Sequence, residues 1–319
     1  MQEHAESGDT LLDAWAARWM ASRVDLKPKT QVSYASLLRT QILPSFGRRP
    51  ISRIRPIDVQ EWIARMQNSG LSPSRIRQAA NLLGSILKAA VNEDMLTRNP
   101  CASARLPRMR QRDMAFFTAE QVERIAAATN APYDTLIHVL AYTGLRFGEA
   151  AALRRTDCEL DRNRLRIDES LAEVNGRLYF GAPKNHQRRY VVVPPFLVAL
   201  LRRHIDEHVA AHDQSLVFMS PTGGPLRYGN FARRVWKPAL DRAGIASAGL
   251  HALRHTCASL LIAHGAPIKA VQAQLGHRSA ELTLDRYGHL YPDQMDVLAT
   301  RLEEARAVAV RFEPPQKTT

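Results

Sequence analysis

Apolar residues at helical spacing dominate the first hundred residues and restrict this region to an α-helical fold. The clearest series follows the i, i+3, i+4, i+7 rule for one face of an amphipathic helix, and it consists of Val59, Trp62, Ile63 and Met66. A second series begins with Leu11, Leu12, Trp15 and Trp19. Such spacing leaves one face of each helix apolar, so these helices must pack against one another.

Two more helices in this region have recognisable boundaries. Ser72-Pro73 combines a side chain that can cap a helix N-terminus with a proline at the first helical position. The helix at residues 30–42 is expected to stop at Pro44 and Gly47, because proline lacks the N–H that a helix interior needs. Four helices joined by short turns predict a compact bundle over residues 1–96.

The helical pattern fades between residues 97 and 115. Pro100 and Pro107 interrupt it, and arginines become frequent: Arg105, Arg108, Arg110 and Arg112. Proline breaks regular structure, and clustered charge disfavours burial. The sequence therefore predicts a basic linker between two domains, which a length of 319 residues allows.

A second domain of mixed structure is predicted over residues 116–292. Thr118 and Gln121 have the spacing of a capping box at the start of a helix. Strand candidates lie at residues 164–167, 177–180 and 190–193. Helices are predicted at residues 119–129, 132–143, 195–212, 230–243, 251–264, 267–275 and 281–285. The predicted fold class is mainly α with a small antiparallel β-sheet, as a helical domain followed by a mixed α+β domain.

The C-terminal region, residues 293–319, contains one further helix candidate and a polar end. Met295, Leu298, Leu302 and Ala305 share one face of the helix predicted at residues 294–308. Residues 313–319 are rich in proline and polar side chains, so we expect them to be disordered. The apolar stripe could pack on its own domain or on another subunit, and the sequence leaves both arrangements open.

An excess of basic residues indicates a polyanionic partner. The chain has 44 Lys and Arg against 31 Asp and Glu, a formal net charge of +13, which favours nucleic acid or an anionic surface. No apolar run is long enough for a membrane helix, and the polar N-terminus does not resemble a secretory signal. Cys101, Cys158 and Cys257 form neither a disulfide framework nor a CxxC metal site. We therefore expect a protein of a reducing cytoplasm.

Four short segments carry arginine, lysine, histidine and tyrosine side chains that suit phosphate chemistry. In chain order they are TGLRFGE at residues 143–149, Pro183-Lys184-Asn185, HALRHT at residues 251–256, and Leu275-Gly276-His277 with Tyr287 ten residues after the histidine. Each has an ordinary alternative on its own, since arginine and lysine are common surface residues and a tyrosine can be a core residue. The order and spacing of the whole set carry the information.

The set resembles the catalytic domain of the tyrosine recombinases, the phage integrase family. In that family a TGLR turn, a β-hairpin lysine, a HxxR motif, a LGH motif and a C-terminal tyrosine follow one another. Residues 10–95 are similar to the helical core-binding domain of the family. The resemblance implies a DNA-binding domain at residues 1–96, a catalytic domain at residues 116–292 and a tail helix after it. The catalytic residues that it implies are Arg146, Lys184, His251, Arg254, His277 and Tyr287, with Glu149 as a supporting acid.

This resemblance implies strand transfer through a covalent bond between enzyme and DNA. The tyrosine hydroxyl would attack a phosphodiester and release the 5′-oxygen, and the resulting 3′-phosphotyrosyl bond would allow rejoining without ATP. Arg146 and Arg254 would bind the non-bridging oxygens, because guanidinium stays charged and can bind them bidentately. His277 would add a hydrogen bond, Lys184 would protonate the leaving oxygen, and His251 would accept the phenol proton. No cofactor is implied, so catalysis in EDTA is expected.

Several alternatives stay open from the residues themselves. His251 and His255, four residues apart, could hold a metal, although Arg254 between them would repel a cation. Tyr291 could replace Tyr287 as the nucleophile, because the spacing from the LGH histidine varies by one residue in the family. The role could be integration or excision of a phage or other mobile element, chromosome-dimer resolution, or that of a non-catalytic DNA-binding accessory protein.

The resemblance also implies partners. They are double-stranded DNA attachment sites, a homotetramer that exchanges strands through a Holliday junction, and a directionality factor, with no membrane. We expect the N-terminal arm-binding domain of many integrases to be absent, since only a short segment precedes the first helix. Phosphate contacts are predicted near helix starts and in basic turns, at Lys27, Lys29, Thr30, Arg75, Arg77, Arg188 and Arg189.

Overall fold

The computed structural model describes residues 10–109, 114–183, 188–291 and 295–310 of the chain. These residues divide into two units. The first ends before Met114 and also takes in residues 173–178 of a β-hairpin, and the second contains the rest. Many helices accompany a small antiparallel sheet, which confirms the predicted fold class.

Amphipathic helices build the first unit, as their apolar spacing predicts. The helices are α1 Leu12–Ser22, α2 Pro28–Leu37, α3 Leu43–Phe46, α4 Pro56–Asn68 and α5 Pro73–Asn92. The apolar residues predicted to face the interior are buried, except Leu11, which is 39% exposed. Ser72 caps α5 as predicted, because its hydroxyl accepts the N–H of Arg75 at 3.3 Å.

Proline does not end the helix that follows residue 28, and that prediction is wrong. A π-helical turn, Leu38–Ile42, leads directly into α3, so Pro44 falls in the first turn of the next helical segment. A first turn tolerates proline because its N–H groups have no intrahelical acceptor, and the wider π turn shifts the bonding pattern ahead of it. The predicted stop at Gly47 is confirmed, since α3 ends at Phe46.

Indole side chains fill the core of the first unit. Trp62 is 1% exposed, meets Phe46 edge to face at 5.4 Å between ring centroids, and donates its Nε1–H to the carbonyl of Gln41 at 3.0 Å. Trp15 is also buried and donates to the carbonyl of Ile86 at 3.0 Å. A buried indole N–H without an acceptor would cost stability. These bonds therefore allow two large rings to occupy the centre of the bundle.

The segment predicted as a linker packs on the first unit over part of its length. The side-chain amide of Gln60 exchanges two hydrogen bonds with the backbone of Arg105, at 2.9 and 3.3 Å. Arg77 donates from Nε to the carbonyl of Pro107 at 3.0 Å, and Leu106 lies against the apolar core. The described residues up to 109 are thus held by specific contacts within their own unit.

Helices also dominate the second unit. Thr118 forms the predicted capping box with Gln121, with reciprocal bonds of 2.9 and 3.2 Å. The bounds are α6 Ala119–Ala127, α7 Tyr133–Thr143, α8 Phe147–Ala150, α9 Pro195–His208, α10 Tyr228–Phe231, α11 Lys237–Arg242, α12 His251–Ala263, α13 Ile268–Leu275, α14 Ala280–Tyr287 and α15 Met295–Val310. Across the ranges that the structure describes, every helix is too short or too polar to cross a bilayer.

The helix predicted at residues 230–243 is divided by a π-helical turn ahead of a proline, as α2 and α3 are in the first unit. α10 passes into a π-helical turn, Ala232–Trp236, and α11 then starts with Pro238 in its first turn. Both prolines therefore follow a π turn, which lets the chain remain helical in direction across each of them.

Two small antiparallel sheets accompany the helices, and the first of them lies wholly in the second unit. Strands β1 Cys158–Glu159, β2 Arg164–Ile167 and β5 Arg189–Val192 form one sheet in the order β1-β2-β5, while β3 Ser170–Val174 pairs with β4 Arg177–Gly181. The strands predicted at residues 164–167, 177–180 and 190–193 are confirmed within a residue. β1 and β3 were missed. Asn175-Gly176, with φ of +49° and +75°, is a strong hairpin signal that the sequence analysis overlooked.

A side-chain amide bonds to the backbone of strand β5. Gln274, near the end of α13, accepts the N–H of Val192 at 2.9 Å and donates to the carbonyl of the same residue at 2.9 Å. It also reaches the carbonyl of Thr143, the last residue of α7, at 3.3 Å. One buried glutamine thus joins β5, α7 and α13, the elements that lead to three of the predicted site segments.

The tail helix α15 exposes the side chains that the structure describes. Residues 299–307 are all exposed, and Leu302 of the predicted apolar stripe is 71% exposed. Met295 and Leu298 belong to the same stripe, but their side chains lie outside the described set. Among the residues that the structure describes, none covers Leu302 to a large extent.

Trp62→Ala should lower the free energy of unfolding by about 3–5 kcal/mol, because it removes a buried ring and leaves a cavity. Urea unfolding of the full chain measures the change. Ile57→Ala on the same helix is the matched control: Ile57 is 54% exposed, so its truncation should change the free energy by less than about 0.5 kcal/mol. Equal losses in both variants would contradict the packing described for α4.

Candidate active site

The turn after α7 brings Arg146 to the site by packing a glycine against two other helices. α7 ends at Thr143, and the residue that follows, Gly144, has a φ of +69°, in the left-handed region that favours glycine. A Cβ at this position would lie 2.5 Å from Cδ2 of Leu275 and 3.1 Å from Sγ of Cys257. The glycine of the TGLR motif is therefore required both by its backbone and by its close approach to α12 and α13.

Arg254 is the buried link between the three segments. It is 2% exposed and donates to the carbonyl of Gly144 at 2.5 Å and to the carbonyl of Leu275 at 2.6 Å. Burial, followed by repulsion from Arg146, lowers the pKa of Arg254 to about 10. The guanidinium therefore stays charged at neutral pH while its two bonds fix the TGLR and LGH turns around it.

Glu149 holds two arginines at the edge of the site. Its carboxylate accepts bonds from both terminal nitrogens of Arg189, at 2.8 and 3.2 Å, and from Nη1 of Arg146 at 2.8 Å. Burial opposes ionisation of Glu149, but the bonds and charges of Arg189 and Arg146 outweigh it and lower its pKa to about 2. Glu149 is thus a buried carboxylate that binds Arg146, and its role as a supporting acid in catalysis stays a prediction.

Arg189 has a different environment from the one that the sequence analysis gave it. It was predicted to contact DNA, but its side chain is 12% exposed and both terminal nitrogens bind Glu149. Its stem also packs on Gly276, where a Cβ would lie 2.7 Å from Nε. These contacts argue against a phosphate contact and make Arg189 a buried tie between β5, the TGLR turn and the LGH turn. A pairing 40 residues apart in the chain leaves no local signal in the sequence.

An open cleft of about 530 Å³ lies beside these residues. Four of the predicted site residues line it, namely Arg146, His251, Arg254 and His277. Arg278 and Arg286, which the sequence analysis did not select, line it as well. Four arginines around one cleft concentrate positive charge, which suits the binding of a phosphodiester.

His277 lies between the cleft and the predicted nucleophile. Its Nδ1 is 2.8 Å from the hydroxyl of Thr283, and its ring stacks on that of Tyr287 with centroids 6.2 Å apart and planes at 5°. Partial burial, followed by the charge of Arg254, lowers the pKa of His277 to about 3. The imidazole is therefore neutral at physiological pH, and the bond to Thr283 fixes the orientation of its ring.

Tyr287 ends α14 with its phenol buried. It is 1% exposed, and its hydroxyl is 2.7 Å from Nδ1 of His255. Burial raises the pKa of Tyr287, while the charges of Arg254 and Arg286 act in the opposite direction. The sequence analysis considered His255 only as half of a metal pair with His251, although the spacing of four residues already placed both imidazoles on one face of α12.

Two further candidates for the site are Lys184 and Tyr291. Lys184 lies outside the described residues, so its place in the site stays a prediction. Tyr291 is half-buried, and its hydroxyl is 3.5 Å from the carbonyl of Ala266. Its described contact is therefore with the backbone, whereas the hydroxyl of Tyr287 faces a histidine.

Of the other residues predicted to contact DNA, some have exposed side chains and some form hydrogen bonds within the protein. Arg75 donates to the hydroxyl of Ser36 at 3.2 Å, and Arg77 is bound to a backbone carbonyl. Lys27 is the N-cap residue of α2, followed within its first turns by Lys29 and Thr30. Arg188 is 84% exposed. All of them stay predictions for DNA binding.

A metal site is not apparent in the described ranges. Within those residues, no group of three or more histidine, cysteine, aspartate or glutamate side chains is arranged to hold a metal ion. His251 and His255 meet edge to face instead, with ring centroids 4.8 Å apart and planes at 86°.

Comparison with known proteins identifies the same two regions of the chain. Residues 115–294 match the model of the phage integrase family, and residues 11–67 match that of the phage integrase N-terminal SAM-like domain. The integrase of Mycobacterium phage D29 is 26% identical over 313 residues, covering 96% of this chain and 82% of the relative. A XerC-like tyrosine recombinase of Caldanaerobacter subterraneus is 28% identical over 302 residues, covering 85% and 77%.

Solved structures show the same fold at low identity. The Tn1549 transposon integrase, in complex with a circular intermediate DNA, has a TM-score of 0.79 at 22% identity, covering 92% of this chain and all of the other. A lambda integrase tetramer bound to a Holliday junction has a TM-score of 0.66 at 19% identity, covering 92% and 82%.

Glu149 should make the protein sensitive to acid. Its pKa is lowered from 4.5 to about 2, so its contribution to the free energy of unfolding is complete above pH 4.5 and is lost as the pH falls toward 2. The loss should be about 3 kcal/mol. Urea unfolding between pH 2 and 6 measures it, with Glu149→Gln for comparison.

The glutamine variant should be less stable than the wild type at pH 7 and should lack this part of the acid-dependent loss. Glu281→Gln, at an exposed carboxylate in the first turn of α14, is the matched control and should follow the wild-type curve. A Glu149→Gln curve parallel to that of the wild type would exclude the buried carboxylate as its cause.

Proposed function

This chain belongs to the phage integrase family and is a tyrosine-type site-specific recombinase; we propose that it integrates or excises a mobile element through a 3′-phosphotyrosyl intermediate formed by Tyr287. One observation carries the assignment of the site. Arg254 binds the backbone of both the TGLR and the LGH turn, so segments from three parts of the chain meet at one basic cleft. A DNA-binding accessory protein without chemistry would not need this convergence.

The proposed reaction begins with a phosphodiester in the cleft. Arg146 and Arg254 bind its non-bridging oxygens, and their positive charge stabilises the additional negative charge of the transition state. Neutral His277 donates a further hydrogen bond. The Tyr287 oxygen attacks phosphorus as the bond to the 5′-oxygen breaks, and Lys184 supplies the proton to that oxygen. The new ester resembles the old one in energy, so the reverse reaction with a second 5′-hydroxyl rejoins the strand.

The names of the similar proteins favour integration of a mobile element over other roles. Its relatives include integrases of the mycobacteriophages D29 and L5 and the ICEBs1 integrase of Bacillus subtilis. Resolution of chromosome dimers uses the same chemistry, and the resemblance to a XerC-like recombinase keeps it as the second candidate. We place the activity in the bacterial cytoplasm, on nucleoid DNA. A directionality factor stays a prediction.

We further propose that the protein acts as a tetramer whose tail helix docks on a neighbouring subunit. The supporting observation is Leu302, which exposes 71% of its surface on a helix whose other described side chains are polar or alanine. A large apolar side chain on a solvated helix is suited to a partner surface. Docking of this kind would couple the active sites of neighbouring subunits in a closed ring.

Tyr287→Phe should bind attachment-site DNA with unchanged affinity and form no covalent adduct. A suicide substrate with a nick beside the cleavage position traps the adduct, which denaturing gel electrophoresis detects. The assay is run in EDTA, where the wild type should remain active because fixed arginines supply the charge. Tyr291→Phe is the matched control and should form the adduct at the wild-type rate. Adduct formation by Tyr287→Phe, or its loss in Tyr291→Phe alone, would assign the nucleophile to Tyr291.

Deletion of residues 293–319 should abolish recombination between two sites and preserve binding to a single site. Gel-shift titration and a two-plasmid recombination assay measure the two properties. Leu302→Gln should reproduce part of the defect, while Arg301→Gln, at the neighbouring exposed position, should not. Recombination at the wild-type rate by the truncated protein would reject docking in trans.

A further inference from the structure

A histidine that the sequence analysis did not place in the mechanism contacts the nucleophile. His255 lies one turn after His251 on α12, and its Nδ1 is 2.7 Å from the hydroxyl of Tyr287. The two rings are tilted by 60° with centroids 5.7 Å apart. His251, by contrast, lines the open cleft and presents its ring to that of His255. The two imidazoles therefore have different neighbours: one faces the space for the phosphate and the other faces the phenol.

The direction of the proton in this bond follows from the ionisation of both groups. Burial raises the pKa of Tyr287, so the phenol is protonated at neutral pH. Partial burial, followed by the charges of Arg286 and Arg254, lowers the pKa of His255 to about 4, so the imidazole is neutral. The phenol O–H therefore donates, and the unprotonated Nδ1 of His255 accepts. A general base needs this arrangement, with its lone pair within hydrogen-bond distance of the proton that it removes.

We propose that His255 is the general base of the cleavage step, a role that the sequence analysis gave to His251. This inference rests on the proposed function. The proton of Tyr287 moves to Nδ1 of His255 as the phenol oxygen bonds to phosphorus, and the electron pair of the broken P–O bond leaves with the 5′-oxygen, which takes a proton from Lys184. In the rejoining step His255 returns its proton to the departing phenol. His251 then contacts the phosphate from the cleft.

The charges around His255 make its basicity depend on DNA. The titratable and charged groups that surround it are Arg254 and His251 on its own helix, Arg286 and Tyr287 on α14, and His277 behind the phenol ring. Without DNA the positive charges of Arg286 and Arg254 disfavour a protonated imidazole. A bound phosphodiester adds negative charge beside the same cations and offsets their repulsion, so His255 becomes a stronger base when substrate is present.

The test compares rates of adduct formation on the nicked suicide substrate under single-turnover conditions. His255→Asn should reduce the rate by about 10²–10⁴-fold, because an amide oxygen can accept the hydrogen bond but cannot hold the proton. His264→Asn, at the residue that directly follows the same helix, is the matched control, since His264 is exposed and its side chain bonds only to the carbonyl of Leu260 among its described contacts. It should cleave at the wild-type rate. Imidazole added to His255→Ala should restore part of the rate.

The pH profile separates proton transfer from a structural role. The wild-type rate should level off above the pKa of His255 in the DNA complex. The His255→Asn rate should continue to rise tenfold per pH unit toward the pKa of tyrosine, because only spontaneous ionisation then activates the phenol. A merely structural loss would instead give a rate reduced by the same factor at every pH.

A DNA substrate with sulfur in place of the 5′-bridging oxygen separates the base from the acid. Thiolate leaves without protonation, so the sulfur should relieve the defect of Lys184→Ala and leave the defect of His255→Asn in place. Relief of the His255→Asn defect by sulfur, a wild-type rate for that variant, or a rate above that of the wild type would each overturn the proposal. Loss of the adduct in Tyr287→Phe, observed alongside any of these, would leave the proposed function standing.

Discussion

The buried charge of Arg254 is the constraint on which the rest of the site depends. A guanidinium that is 2% exposed must find acceptors inside the protein, and it finds them at the C-terminal ends of two helices, in the carbonyls of Gly144 and Leu275. Helix C-termini carry partial negative charge, so both ends stabilise the cation as well as bind it. The left-handed glycines at these ends, with φ of +69° and +65°, let the chain turn away while the carbonyls stay directed at Arg254. The same hydrogen bonds of Arg254 therefore stabilise the fold and position the residues of the site.

A second ion cluster balances only part of the positive charge. Glu149 neutralises one of the two arginines that it binds, and Arg254, Arg278 and Arg286 add further charge around the cleft. Burial lowers the pKa of Arg254 most, and repulsion from Arg146 lowers it further. In the empty cleft the arginines repel one another, which destabilises the protein. A bound phosphodiester adds negative charge and relieves this repulsion, so the cluster of arginines favours DNA binding.

The sequence predicted features that depend on local pattern and missed those that depend on distant pairing. Periodicity located the helices that carry Arg254 and Tyr287, and capping chemistry located the start of α6, because both are properties of a few neighbouring residues. Arg189 was expected at the surface since nothing near it in the chain reveals Glu149. His255 was noticed through its spacing from His251, but only the fold brings α14 beside it. Pro44 misled the prediction because a π turn can absorb a proline, and no residue pattern signals that turn.

Burial of the Tyr287 phenol affects how often such a protein would cleave DNA that is not its target. A recombinase meets vastly more unrelated sequence than target, and backbone affinity alone keeps it travelling along the duplex. A solvent-exposed nucleophile could nick the DNA at each position where the protein binds non-specifically. With only 1% of its surface exposed, the tyrosine is shielded from a passing duplex in this state. Genome integrity would then be guarded by the resting shape of the enzyme itself, before any sequence is read.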